Sequence, residues 1–157
     1  MNYAEEIGKI LTEKGLCIST TESCTGGLLS SKLTDISGSS AYIKLNLITY
    51  ANEAKNKMLG VSLNTLNAFG AVSEECAYEM ANGLYNLTNS DICVSTTGIA
   101  GPTGGTIEKP VGLMYSTIYT PQKCKTYKIQ VNSMLSRTEI KKAFVEEVLK
   151  NIYEFIK

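Results

Sequence analysis

The chain has 157 residues, 43% hydrophobic and 19% charged, and its 15 basic side chains are matched by 15 acidic ones. A chain of that size and apolar content can bury one sufficient core, and its even charge, with basic residues gathered only toward the last quarter, sets it apart from nucleic-acid binders, which carry a basic face. It contains no histidine, which excludes Ser-His-Asp and Cys-His catalysis and imidazole-bound zinc, so any hydrolytic base has to be Lys, Tyr, Asp or Glu.

Residues 3–14 put Ala4, Ile7, Ile10 and Leu11 on one helical face against Glu5, Glu6, Lys9 and Lys14, and Gly15 ends that helix. The opening Met1-Asn2-Tyr3-Ala4-Glu5-Glu6 is no signal peptide and no apolar run is long enough for a bilayer, so a cytoplasmic protein without a membrane partner is expected. A strand over 16–20 then runs into Thr20-Thr21-Glu22-Ser23-Cys24-Thr25-Gly26-Gly27-Leu28-Leu29-Ser30, the stretch around which the chain is organised. Helical spacing resumes from Leu28 to Thr34. At such a strand-to-helix turn the first helical N–H groups are unpaired and the macrodipole is positive, so the turn suits an anion or a developing oxyanion. Ser23 lies in it, where an acyl-transfer nucleophile belongs; the alternative is that Ser23 or Thr25 caps the helix. Cys24 is a second nucleophile candidate, ranked below Ser23 because no base stands beside it. The other cysteines, Cys17, Cys76, Cys93 and Cys124, are scattered without a CxxC, which argues against disulfides and zinc.

Asp35-Ile36-Ser37-Gly38-Ser39-Ser40 is a loop by composition; Ser39 and Ser40 either line a pocket or form a plain turn. Residues 41–50 predict a strand ending at Tyr50, and 51–59 a helix stopped by Gly60. Lys55 is then about one turn into that helix, where it can share a pocket with Tyr50, while Lys57, two residues on, faces water. A short helix over 62–69 and a longer one from Ser73 to Asn89, with Ala77, Met80, Ala81, Leu84 and Leu87 inward, precede a strand over 91–96. That strand delivers Thr97-Gly98-Ile99-Ala100-Gly101-Pro102-Thr103-Gly104-Gly105, a glycine-rich loop whose bare backbone suits close approach of a ligand such as phosphate, or a mobile surface loop; it matches neither a Walker nor a dinucleotide-binding fingerprint. Residues 111–119 and 123–131 predict an antiparallel hairpin, and 136–156 a long amphipathic helix whose Lys141, Lys142, Lys150 and Lys157 form a solvated face. This order predicts one domain over residues 1–157, an α/β fold in the form of a three-layer α/β/α sandwich with a mixed β-sheet, with the Ser23 turn, Tyr50 and the Gly98 loop at the strand ends.

Five ordered blocks, Thr21-Glu22-Ser23-Cys24-Thr25-Gly26-Gly27, Gly38-Ser39-Ser40, Thr49-Tyr50-Ala51-Asn52-Glu53-Ala54-Lys55, Gly70-Ala71-Val72-Ser73-Glu74, and Thr97 to Pro102 with Gly104-Gly105 and Lys109-Pro110-Val111-Gly112, together closely resemble the CinA C-terminal domain family. Its members are known as nicotinamide-nucleotide amidohydrolases, and the likeness runs from about residue 5 to about residue 150; two-domain members carry a further N-terminal domain, which these residues are not expected to include. The resemblance implies hydrolysis of the carboxamide of nicotinamide mononucleotide to nicotinic acid mononucleotide and ammonia, in pyridine nucleotide recycling, with no metal and no cofactor. It implies a nucleophile at Ser23, a base at Lys55 and, at Tyr50, a group that relays the proton or holds the lysine. It also implies oxyanion and substrate contacts at Cys24, Thr25, Gly26, Gly27, Ser39, Ser40, Thr97, Gly98, Gly101, Gly104 and Gly105, with Arg137 a phosphate contact. A lysine is ordinarily protonated at neutral pH, at a reference pKa of ~10.4, so this one has to be desolvated or set beside another cation. The pattern departs at Leu45-Asn46-Leu47, where many members have a glycine, and at Leu135-Ser136-Arg137, where many have Gly-Asp-Arg. The expected partner is a small molecule, with no nucleic acid, and a homo-oligomer is left open. The alternative function is a non-catalytic nucleotide-binding or competence-associated partner module.

Overall fold

The computed structural model describes residues 1–157. Its five strands, β1 (Ile18–Glu22), β2 (Ile43–Ile48), β3 (Ile92–Gly98), β4 (Leu113–Tyr119) and β5 (Cys124–Gln130), form one sheet in the order β2-β1-β3-β4-β5. The first three are parallel, β4 and β5 run antiparallel, and the turn at Thr120 closes their hairpin. Helices α1 (Tyr3–Lys14), α2 (Leu28–Thr34) and α6 (Arg137–Ile156) cover one face, where Ile7, Leu11, Leu29, Leu33, Phe144 and Val148 meet Ile18, Val94 and Met114. On the other face α3 (Asn52–Leu59), α4 (Leu63–Phe69) and α5 (Glu74–Thr88) bring Leu59, Leu66, Met80 and Leu84 against Cys93. The three-layer α/β/α sandwich with a mixed sheet is therefore present, and no helix is long and apolar enough to cross a membrane.

Helix limits follow local chemistry. Asn2, Ser62, Ser73 and Ser136 cap α1, α4, α5 and α6 with side-chain oxygens, and Ser136 with Glu139 forms a full capping box. Gly15 and Gly60 close α1 and α3 in the left-handed conformation that an L side chain resists.

Three boundaries differ from expectation. Strand β1 begins and ends two residues later than the apolar run suggests, because Ser19, Thr20, Thr21 and Glu22 are all fully buried and pair their polar atoms internally. Strand β2 ends at Ile48, so Tyr50 lies beyond it, and β3 extends through Thr97 and Gly98, which belong to the sheet and not to the loop after it. Asn46, in the place of the family's glycine, sits in the regular run of β2 and accepts from Thr20 Oγ1 at 2.9 Å.

Parallel pairing puts the carboxyl ends of β1, β2 and β3 at one edge. After β1 the chain turns to α2 on one face, and after β2 to α3 on the other. The crevice between those two strand ends is the topological switch point at which open α/β sheets hold their ligands.

Candidate active site

Ser23 follows directly on β1 at this crevice, held by its amide, which donates to Thr96 O at 3.0 Å. Lys55 arrives from the first turn of α3 and is only 1% exposed. Its Nζ lies 3.0 Å from Ser23 Oγ and 2.8 Å from the carbonyl oxygen of Tyr50, to which Ser23 Oγ also donates at 3.3 Å. As an ammonium, Lys55 donates to both oxygens. As a neutral amine it keeps one N–H on Tyr50 O and offers its lone pair to the Ser23 hydroxyl, the arrangement a general base requires.

Burial lowers the pKa of Lys55 below the ordinary lysine value; the thiols of Cys76 and Cys24 would oppose this only as thiolates. Burial pushes those thiols up to about 11 and about 12, so both are neutral at physiological pH and the desolvation of Lys55 acts unopposed. The same burial makes Cys24 a packed, inert thiol.

Helix α2 is not an open anion site. Its leading amides, Leu29 N and Ser30 N, donate to the Glu22 carboxylate at 2.9 and 3.0 Å, and the hydroxyls of Thr25 and Ser30 donate to the same group. Glu22, fully buried, thus takes over the capping role considered for Ser23 or Thr25, and Ser23 is left free to face Lys55. Sequence reasoning passed over Glu22; the available signal was an acidic side chain closing a strand of hydroxyl residues one turn before a helix. The amides that remain without an acceptor in the chain are those of Cys24, Thr25 and Gly27, within a turn that Gly26 and Gly27 make by adopting φ of +60° and +100°. These are donors that an oxyanion beside Ser23 can use.

The phenol of Tyr50 makes no hydrogen bond to Ser23 or Lys55. Tyr50 is 56% exposed and its hydroxyl accepts from Arg137 Nη2 at 3.1 Å, while Arg137 Nη1 donates to Gly101 O at 2.7 Å. Of the two roles expected of Tyr50, relaying the proton and holding the lysine, the second has an atom in place, and that atom is the backbone carbonyl, which meets both Ser23 and Lys55. Arg137 instead ties Tyr50 to the glycine-rich loop as one wall of the cleft. Several glycines at the end of β3 and in the loop after it are packing residues. A Cβ at Gly98 would meet Leu113 O at 2.6 Å, one at Gly101 would meet Val111 at 2.4 Å, and one at Gly105 would meet Val111 N at 2.8 Å. Gly104 is free of such contact at φ +89°. Thr97 is buried and donates to Ala71 O, which anchors β3 to the segment before α5.

Ser39 and Ser40 lie elsewhere. They form a 3-10 turn (Ser39–Ala41) just before β2, and Ile18 N donates to Tyr42 O at 2.7 Å, which places them at the amino end of β1, the edge opposite Ser23. The pocket role is corrected to a turn that enters the sheet. Lys57 is exposed and pairs with Glu53 at 2.7 Å, as its offset from Lys55 predicted. No group of three or more His, Cys, Asp or Glu side chains is placed to hold a metal ion.

A family model described as the CinA C-terminal domain matches residues 1–156. A CinA-like protein of Chloroherpeton thalassium is 56% identical over 123 residues, which are 78% of this chain and 29% of that protein. A putative competence-damage inducible protein of Caldanaerobacter subterraneus is 50% identical over 133 residues, 85% of this chain and 32% of that one. The chain thus spans about a third of the length of the curated relatives it matches. Among solved structures, the competence/damage inducible protein CihA from Agrobacterium tumefaciens superposes with a TM-score of 0.93 at 39% identity, covering 100% of this chain and 97% of that one.

Proposed function

This chain belongs to the CinA C-terminal domain family, and from that premise we propose that it is a serine amidohydrolase that converts nicotinamide mononucleotide to nicotinic acid mononucleotide and ammonia. The observation that carries the proposal is a buried lysine, without a carboxylate partner, 3.0 Å from a serine hydroxyl. A lysine kept only for packing or solubility gains nothing from that position, whereas a base gains a lowered pKa.

Ser23 Oγ attacks the carboxamide carbon as its proton passes to the neutral Lys55 Nζ. The tetrahedral oxyanion is held by the free amides of Cys24 and Thr25, next to Ser23 in the turn. Collapse breaks the C–N bond, and Lys55 returns the proton to the departing nitrogen, which leaves as ammonia. Water then attacks the acyl-serine, giving a proton to Lys55, and that proton goes back to Ser23 Oγ as the acid is released. The carbonyl of Tyr50 steadies the amine throughout.

The test is ammonia release from nicotinamide mononucleotide by the purified protein and by Ser23→Ala and Lys55→Ala. The expected result is turnover by the parent and a loss of at least ~100-fold in each variant. No release above blank by the parent, or an unimpaired Ser23→Ala, sinks the mechanism. A second function is a non-catalytic nucleotide-binding or competence-associated module, the competence association resting on relatives named as competence-damage inducible; calorimetric binding of the mononucleotide without ammonia release would decide for it.

A further inference from the structure

Beside the serine turn a cavity of about 420 Å³ opens between Thr25, Gly26, Gly27 and Ser31 on one side and Lys141 and Lys142 of α6 on the other. Sequence spacing assigns these two lysines to a solvated face, but their surroundings differ from those of the other lysines. The Nζ of Lys141 lies only 3.4 Å from where a Cβ on Gly26 would be, so the ammonium rests over the backbone of the nucleophile's own turn. The chain's ion pairs are made by Lys9, Lys57 and Lys157, and neither Lys141 nor Lys142 has an acidic partner. The closest acid in sequence, Glu139, is near enough to Lys142 to feel its charge but makes no ion pair with it, its carboxylate accepting from the Ser136 amide at 2.8 Å.

The remaining polar groups of the cavity also donate. The amide of Gly27 has no acceptor within the chain, and Ser31 offers a hydroxyl. No carboxylate lines it. Two ammonium groups and a set of unused donors around a void this size select an anion with several acceptor oxygens.

We infer that this cavity is a phosphate-monoester subsite, in which Lys141 and Lys142 bind the dianion of the molecule whose carboxamide lies at Ser23. This rests on the hydrolase function proposed above. The turn fixes the span: Gly26 N donates to Ser23 O at 3.1 Å, and such a turn keeps its end Cα atoms within ~7 Å. An aromatic amide and a phosphate joined through a pentose can bridge that interval. The two lysines are then specificity residues that distinguish a nucleotide amide from its nucleoside or from a free amide.

Calorimetric titration of Ser23→Ala protein, which holds ligand without turnover, with nicotinamide mononucleotide and with nicotinamide riboside tests this. The expected result is roughly tenfold or more tighter binding of the nucleotide, the worth of a charge-assisted hydrogen bond. Adding Lys141→Ala with Lys142→Ala collapses that ratio toward one, adding Lys150→Ala on the same helix keeps it, and inorganic phosphate competes with the nucleotide. Melting curves establish that each variant is folded. Equal binding of nucleotide and riboside by the Ser23→Ala parent, equal losses of both in the lysine variant, or no measurable binding of either the nucleotide or inorganic phosphate overturns the subsite. Ammonia release by the unsubstituted protein is read separately, so failure of hydrolysis and failure of the subsite give different results.

Discussion

Replacing Lys55 with methionine should remove activity and raise stability together. Lys55 is 1% exposed and donates to two neutral oxygens, Ser23 Oγ and Tyr50 O, with no anion to offset its desolvation. Methionine fills the same unbranched volume. Its loss of hydrogen bonding costs about 1 kcal/mol, and no acceptor is stranded, because Ser23 Oγ and Tyr50 O remain paired at 3.3 Å. Relief of the buried amine exceeds that cost: each unit by which burial lowers the pKa below its unfolded value is worth about 1.4 kcal/mol at a pH where the unfolded lysine is charged. A net gain of about 1–2 kcal/mol corresponds to a rise of roughly 2–8 °C in Tm for a domain of this size. The sign with pH is determined as well. Burial lowers the pKa of Lys55 in the folded state, so between that value and the unfolded ~10.4 the unfolded chain binds the extra proton, and parent stability climbs as pH rises. The advantage of Lys55→Met is therefore largest at neutral pH and fades toward about pH 10. Calorimetric melts at both pH values, beside the ammonia assay, check this. A lower Tm at neutral pH, an advantage that grows with pH, or surviving hydrolysis would refute the reasoning.

Glu22→Gln sets an NH2 group against two of the four donors around the buried carboxylate, of which a hydroxyl can turn away but a backbone amide cannot, and at about 1–3 kcal/mol for an unsatisfied buried group the Tm should fall by roughly 2–12 °C, measured by thermal melt. Tyr50→Phe should cost less than about tenfold in kcat, since the carbonyl and not the phenol meets Ser23; a loss of ~10²–10⁴ would restore the relay. Because Lys55 must be neutral to act, kcat/KM should rise with pH along a limb whose midpoint lies below ~10.4, and Lys55→Arg, permanently charged, should abolish that limb with the activity. Cys24, buried with its pKa pushed up to about 12, should escape iodoacetamide at neutral pH by mass spectrometry while exposed Cys124 is alkylated and turnover persists; inactivation that tracks labelling of Cys24 would contradict its inert role.

The architecture and the Ser23–Lys55 pairing were legible because each rests on a local signal. The 3.6-residue period marks α5 and α6, and a helix beginning just after β2 carries Lys55 back over the end of β1. Tyr50 was harder, because residue type does not tell whether a side chain or a carbonyl will be used, and the answer depends on Arg137, 87 positions later. Glycines posed the same difficulty: Gly26 and Gly27 serve the turn, whereas Gly98, Gly101 and Gly105 make room for Leu113 and Val111, and only tertiary packing separates these uses. Ser39 and Ser40 failed because a motif's place in sequence does not reveal which end of a parallel strand it occupies.

The misplaced limits of β1 point to something more general about this site. Thr21 and Glu22 fall outside the strand that hydropathy marks, yet with Thr20 they form a fully buried strand end whose polar atoms meet Ser30 and Asn46, Thr49, and the start of α2. No buried side-chain nitrogen or oxygen in the whole chain lacks a partner, which is the condition under which such a strand costs little to bury. A strand ending in aliphatic residues would cost less to bury, but it would leave the amides of α2 uncapped and the turn free to pivot. The interlocked hydroxyls and carboxylate hold Ser23 at a fixed distance from an amine that the same burial makes basic, so the residues that hydropathy discounts are the ones that hold the nucleophile in place.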